Sequence, residues 1–214
     1  MALHHLPTTL SGATRQFACY PSPRILVALV LGCLAGRIAL GAWSPWDAVV
    51  VLALLGFWPL QEWLIHVFLL HYQPVSLFGR RWDFDLPRKH RAHHRDPSRL
   101  ELLFIPLHVY LYAPLLVAGV TFVFASSLPR VLSFLSGYFL LALHYEWVHF
   151  LVHTRYRPRS ARYQRLRRNH RLHHFRNEHY WYGVTMLSGD RLMHTAPLPD
   201  SVPTSPTARA LRAC

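Results

Sequence analysis

The sequence predicts an all-α integral membrane protein, a bundle of four transmembrane helices with a histidine-rich cytosolic cap. Three observations predict it. Hydrophobic residues make up 52% of the 214 residues and only 15% are charged, and the apolar residues lie in blocks, not along helix faces or alternating strands. Nineteen of the 23 Lys and Arg fall in two stretches, residues 73–100 and 154–214. Histidines number 16 against 10 acidic residues, and most of them recur at short fixed spacings. A disordered chain could not carry this much apolar surface. Collagen-like and disulfide-stapled chains would need far more Gly or Cys than the 10 and 3 present, and Cys19, Cys33 and Cys214 form no metal-type spacing.

Residues 1–24 form a cytosolic N-terminal segment, too long before the first apolar block to read as a cleavable signal. Apolar blocks then predict membrane helices at about residues 25–43, 48–71, 102–126 and 131–153, each close to the ~20 residues that cross a bilayer's hydrocarbon. A buried core in a soluble protein is the competing reading, but so short a chain has too little polar surface to cover four such blocks. Trp43 and Trp46 flank the first two blocks as interfacial aromatics do. The connections at 44–47 and 127–130 carry one basic residue, Arg130, so the positive-inside rule puts both long basic stretches and both termini in the cytoplasm. Arg37 reads as a residue snorkelling to the outer interface. Pro106 and Pro114 read as tolerated kinks within the third helix. Short helices at 87–95 and 160–175 build the cap (73–101 and 154–196) of a membrane-embedded domain, 25–196. The Pro-, Ser- and Thr-rich stretch 197–214 reads as a disordered tail.

The histidine spacing carries the chemistry. His66 and His71 close the second helix, and His149 and His153 close the fourth. Each pair is followed by a His-x-x-His-His triplet: His90, His93 and His94, then His170, His173 and His174. Residues three and four apart project from one helix face, so each triplet can aim its imidazoles at one point. Imidazole suits iron, zinc, copper and nickel, and ten of them exceed what one four- to six-coordinate ion can use. By the predicted topology all four groups fall on the cytosolic face, which makes the cap a metal-binding one.

Plainer readings are available. His4, His5 and His108 read as ordinary surface or core histidines, and His144 as a polar residue of the helix bundle. A basic loop can bind anionic lipid, but arginine would serve, without patterned neutral histidines. Nucleic acid is not an expected partner, since basic residues beside a membrane are accounted for by topology and lipid. A metal transporter would keep ionisable residues along a path near the midplane, whereas these histidines gather at one face.

With those motifs in place, residues 60–195 resemble the fatty acid hydroxylase/sterol desaturase superfamily of integral-membrane, histidine-rich diiron oxygenases. The eight-histidine signature of that family stands here as His66/His71, His90/His93/His94 and His170/His173/His174, and His149/His153 match its additional pair. The run His-His-Phe-Arg-Asn-Glu-His-Tyr-Trp-Tyr-Gly-Val-Thr (173–185), followed by Gly-Asp-Arg-Leu (189–192), is similar to its carboxy-terminal signature. His179 stands where the family commonly has Asn, and Met193-His194-Thr195 where it commonly has Phe-Gly-Thr.

The resemblance implies a non-haem diiron membrane monooxygenase with two Fe ions, replaceable by zinc on purification, and O2 as co-substrate. It implies a membrane lipid as substrate, either a fatty acyl chain or a sterol- or hopanoid-like ring. Carotenoid hydroxylation and lipid desaturation are alternatives within the same chemistry. Electrons would come from a separate donor, a ferredoxin or a cytochrome b5-type protein with its reductase. All ten patterned histidines become metal-ligand candidates. Glu62, Asp96, Glu146, Glu178 and His179 become candidates for holding ligand rings through their second nitrogen. Phe68, Phe122 and Phe150 are candidates for lining a substrate channel.

Overall fold

The computed structural model describes residues 6–209 and 211; His4, His5 and Cys214 lie outside the described residues. The order of elements is α1 (Leu10–Phe17), α2 (Pro21–Leu40), α3 (Pro45–Leu64) continued by a π-helical turn (Ile65–Leu70), β1 (Val75–Leu77), β2 (Arg80–Trp82) and α4 (Asp85–Arg95). Two 3-10 turns, Leu100–Leu103 and Leu107–Leu111, lead to α5 (Ala113–Ala125), α6 (Leu128–His153), α7 (Ala161–Phe175) and the short α8 (Ser188–Leu192). The protein is mostly helical, not wholly so. β1 and β2 form an antiparallel hairpin pairing Val75 with Trp82 and Leu77 with Arg80. Its turn residues Phe78 and Gly79 both have positive φ, 51° and 71°, the backbone twist that two-residue hairpin loops require.

Three helices are long and apolar enough to cross a membrane: Pro21–Leu40, Pro45–Leu70 and Leu128–His153. Their outward residues stay apolar, Ile38 and Leu52 among them, each more than half exposed. A multi-pass membrane protein accounts for such faces, which water would not tolerate as a continuous surface. The third apolar block is not one straight helix: Leu100–Leu111 and Ala113–Ala125 meet at 62°, and count as a fourth span only if taken together. Its prolines mark where helical turns stop and restart. Pro106 disfavours helix in the residue before it, and Pro114, lacking an N–H, stands in the first turn of α5, where that donor is not needed.

The chain divides into two compact units, one of Met1–Thr14, Pro59–Phe104 and Val148–Cys214, the other of Arg15–Trp58 and Ile105–Trp147. In the second unit, Leu26, Val131, Leu135 and Phe139 form the buried core. Arg37 does not snorkel. It is 1% exposed, and its Nε donates to Asp47 (3.0 Å) and Ser133 (2.8 Å) while the Trp43 ring lies 3.7 Å from its guanidinium carbon. An unpaired guanidinium in hydrocarbon is costly, and a carboxylate with a full set of acceptors removes the need to reach solvent. Glu146 accepts from the Ser22 hydroxyl (2.5 Å) and the Ile105 N–H (2.8 Å).

In the first unit, the stretch from Pro197 is not a free tail in its described part. Val202, Ala208 and Leu211 are buried, the Ser205 N–H donates to the Arg176 carbonyl at 2.7 Å, and the Arg176 Nε donates to the Val202 carbonyl at 2.8 Å. Few apolar residues sufficed because α7 and the loop after it supply ready hydrogen-bond partners.

Candidate metal centre

Local structure explains how each histidine arrives. His66 and His71 are five apart, a spacing that an α-helix turns away from one face. The π turn closes a His71 N–H to His66 carbonyl bond at 3.1 Å, so residues i and i+5 come onto the same side; the two rings lie 5.0 Å apart. α4 and α7 are regular helices, so His90/His94 and His170/His174, four apart, each share a face.

The ten histidines assemble as two groups of five. His66, His71, His90, His94 and His173 form one, and His93, His149, His153, His170 and His174 the other. Within each, one nitrogen per ring lies within 4.8 Å of every other. The composition has an exchange symmetry. Each group takes one helix-end pair, the outer two residues of the triplet that follows it, and the middle histidine of the other triplet. His93 and His173 are the exchanged members, and they tie α4 and α7 together.

The nitrogens themselves test whether a metal fits. In the first group the Nε2 atoms of all five rings are buried without a hydrogen-bond partner, a costly state for polar atoms unless something else binds them. Backbone carbonyls fix three of these rings. His66 Nδ1 donates to Tyr182 (2.7 Å), His173 Nδ1 to Tyr180 (2.8 Å) and His94 Nδ1 to Ala208 (2.9 Å). A carbonyl only accepts, so Nδ1 carries the proton in each and Nε2 keeps its lone pair. In the second group, Nε2···Nε2 distances are 2.8 Å for His153–His170, 3.0 Å for His170–His174 and 3.1 Å for His93–His174. Two imidazoles at right angles around one ion, with bonds of about 2.0–2.1 Å, bring their nitrogens to about 3 Å. The residues fit a metal in both groups.

Electrostatics agree. Burial, and then the neighbouring imidazoles, hold His90, His93, His170 and His174 well below their ordinary protonation range. Burial brings His173 down to about 4 against the bond to Tyr180. The rings are therefore neutral at ordinary pH, as metal ligands must be.

The carboxylates play a different part from the one expected of them. Glu62 accepts from the Val184 and Thr185 N–H groups and the Thr185 hydroxyl, and so grips the loop after α7 rather than a histidine. Glu178 accepts from Thr207, Asp96 from Ser98, and His179 is exposed beside Glu178. Phe150 is fully buried against Phe104, 5.9 Å between ring centres, whereas Phe68 and Phe122 are more than half exposed. His108 and His144 fall in neither group.

Sequence reasoning missed Asp190. It is fully buried and accepts from the Tyr182 and Gly183 N–H groups (2.9 and 2.7 Å) and the Thr195 hydroxyl (2.7 Å). Between the two ring-holding carbonyls stands Trp181 at φ +58°, an unusual conformation for a bulky residue. Its N–H donates to Thr195 and its indole N–H to Pro197. The only signal in the sequence was the Gly-Asp-Arg-Leu run. Gly189 there admits no side chain, since a Cβ would collide with the Pro59 carbonyl oxygen.

A model of the fatty acid hydroxylase family matches residues 48–195, which include all ten histidines. The chain belongs to the fatty acid hydroxylase family. A dihydroceramide fatty acyl 2-hydroxylase of Arabidopsis thaliana is 28% identical over 189 residues, 82% of this chain and 72% of that protein. No solved structure matches. As a fatty acid hydroxylase the chain is an oxidoreductase acting on lipid, and Glu62, Asp190 and the Tyr180–Tyr182 carbonyls fall within the matched region. Ala208, whose carbonyl holds His94, lies beyond it.

Proposed function

We propose that this fatty acid hydroxylase is a diiron monooxygenase that hydroxylates the acyl chain of a membrane lipid, each five-histidine group holding one iron. The carrying observation is the convergence of ten imidazoles in two groups of five, with the Nε2 atoms of the first group buried without a hydrogen-bond partner. The irons, when bound, supply the reductive activation of O2 that an unactivated C–H bond requires and that side chains acting as acids or bases cannot provide. Zinc taken up on purification would occupy the same nitrogens, since all-imidazole sites favour it at least as well as ferrous iron.

The chain's own residues hold and shield. Tyr180, Tyr182 and Ala208 fix the tautomers of His173, His66 and His94. Glu62 and Asp190 fix the loop that carries two of those carbonyls. Burial keeps protons off the ligating nitrogens. His66 and His71 stand in and just after the last turn of one span and His149 and His153 in the last turns of another, where the hydrocarbon should end, so an acyl chain would approach from within the bilayer. The basic stretches support a cytoplasmic position for that face and for both termini, by the positive-inside rule. The relative's action on a fatty acyl chain supports an acyl substrate over a sterol or carotenoid ring, and position 2 as the carbon to inspect first.

Comparative lipid mass spectrometry tests the reading. Membranes from cells expressing the wild type should contain a lipid with one added oxygen that is missing from cells expressing His173→Ala. A lipid that instead loses two hydrogens would replace hydroxylation with desaturation.

A further inference from the structure

Two adjoining pockets of about 600 and 490 Å³ share Arg157, Arg167, Arg171 and Phe175 as a common wall. The larger adds Arg168 and Arg176, and the smaller adds Arg155 and Arg209. Asp96 is the one carboxylate among the lining residues. Among the described residues, no carboxylate forms an ion pair with any of these arginines; the described pairs involve Arg37, Arg88, Arg91, Arg99 and His179. Burial, then the Arg171 and Arg157 guanidiniums, pull the Arg167 proton affinity down. So many like charges held together raise the free energy of the unoccupied face, and an anionic partner relieves it.

Two further features say what kind of anion. The smaller pocket has His153 and His174 of the second group in its wall, so a partner seated there stands one imidazole away from the proposed ion. Phe175, 44% exposed, has the Arg171 and Arg209 guanidinium carbons 5.4 and 5.9 Å from its ring centre. An exposed aromatic ringed by arginines has the composition of a protein-binding hot spot. A phosphate headgroup would use one or two of the guanidiniums and leave the ring idle.

We propose that this arginine face is the docking site of the electron donor, a small one-electron carrier protein with carboxylates around the exposed edge of its redox group. The inference rests on the oxygenase reading. Hydroxylation consumes one O2, two electrons and two protons, and yields one hydroxyl group on the lipid and one water, so the carrier docks, is oxidised and leaves twice per turnover.

The test uses the full chain, iron-loaded, in phosphatidylcholine nanodiscs, with an acidic cytochrome b5 haem domain and an acidic plant-type ferredoxin as probes in surface plasmon resonance. At least one should bind, more weakly as salt rises. Arg157→Glu and Arg168→Glu, both at exposed positions, should each slow its association by about tenfold at low salt, with iron content and thermal unfolding as in the wild type. Arg168→Lys should bind as the wild type does. Failure of both carriers to bind, or unchanged binding by both charge-reversed variants, overturns the proposal. So does a loss of phosphatidylserine-vesicle binding with carrier binding intact, which would make this a lipid-facing surface. Wild-type turnover with dithionite in place of the carrier reports separately on the oxygenase reading, so the two failures are told apart.

Discussion

His66 Nδ1 donates to the Tyr182 carbonyl at 2.7 Å, joining the end of α3 to a loop 116 residues further along the chain. That carbonyl is where it is because Asp190 takes the Tyr182 and Gly183 N–H groups and Glu62 takes those of Val184 and Thr185. Two carboxylates therefore act on the metal site through a backbone loop, without touching a histidine.

Asp190→Ala leaves two buried N–H groups without acceptors and frees the loop. Partners that orient ligand rings typically contribute about 10–100-fold in metal affinity, and Asp190 should fall in that range. Chelator competition on the purified variant gives the number. Affinity equal to wild type would make Asp190 a fold-supporting residue only.

A truncation ending at Pro206 makes the same argument from the other side. His94 Nδ1 donates to the Ala208 carbonyl, and Thr207 donates to Glu178. Removing them should weaken metal binding in the first group by about tenfold and spare the second. A disordered 197–214 predicts no change in either, so chelator competition on the truncated chain decides between the two.

Much of this architecture was legible in the sequence, and the reasons it was or was not are physical. Blocked hydropathy placed α2, α3 and α6 because a bilayer demands a full-length apolar run, and i,i+4 geometry made the triplets on α4 and α7 readable. The third span was legible in part: Pro106 and Pro114 could be read as kinks, but hydropathy does not record a bend as large as 62°. Proximity in sequence misassigned Asp96, because a carboxylate near a histidine in the chain takes whichever donor the fold brings closest. Asp190 and the carbonyls of Tyr180, Tyr182 and Ala208 were illegible because backbone acceptors have no residue type, and the αL turn at Trp181 that aims two of them is set by tertiary packing.

The division into two groups separates neighbours in sequence. His93 belongs to one group and His94 to the other, as do His174 and His173. In the iron-loaded protein, His93→Ala and His174→Ala should weaken the same ion, and His94→Ala and His173→Ala the other. Double variants within a group should cost less than the two singles added together, while doubles across groups should add, as independent sites do. Iron retained per chain after graded chelation reads this out. Additive behaviour within a group would break the assignment.

The π turn at Ile65–Leu70 makes the five-residue spacing of His66 and His71 work. A π turn is an α-helix with one residue extra. Deleting Leu69, which is exposed, restores α-helical i,i+4 spacing and should leave both rings on one face with metal binding largely kept. Inserting an alanine after Leu69 should swing His71 by about 100° and lower the metal affinity of the first group only. Loss of binding on deletion, with the chain still inserted in the membrane, would mean that the π geometry itself is needed.

Protonation of the cap histidines sets a pH limit on the metal-free protein. His173 is depressed to about 4 from an ordinary 6.5, chiefly by burial, and His90, His93, His94, His170 and His174 are depressed in the same direction. Above pH 6.5 these rings are neutral folded and unfolded, so they add no pH dependence. As pH falls below 6.5 the unfolded chain binds protons that the folded one excludes, and stability is lost at about 1.4 kcal/mol per pH unit for each such ring. For His173 the loss ends near pH 4, where the folded form takes up its proton too. Bound metal excludes the same protons and should shift the whole window down. Thermal unfolding in neutral nanodiscs, followed from about pH 7.5 to about 4.5 with and without metal, should show a falling Tm below pH 6.5 that metal postpones. A Tm flat across that range in the metal-free protein would mean that these rings are not buried together as neutral imidazoles.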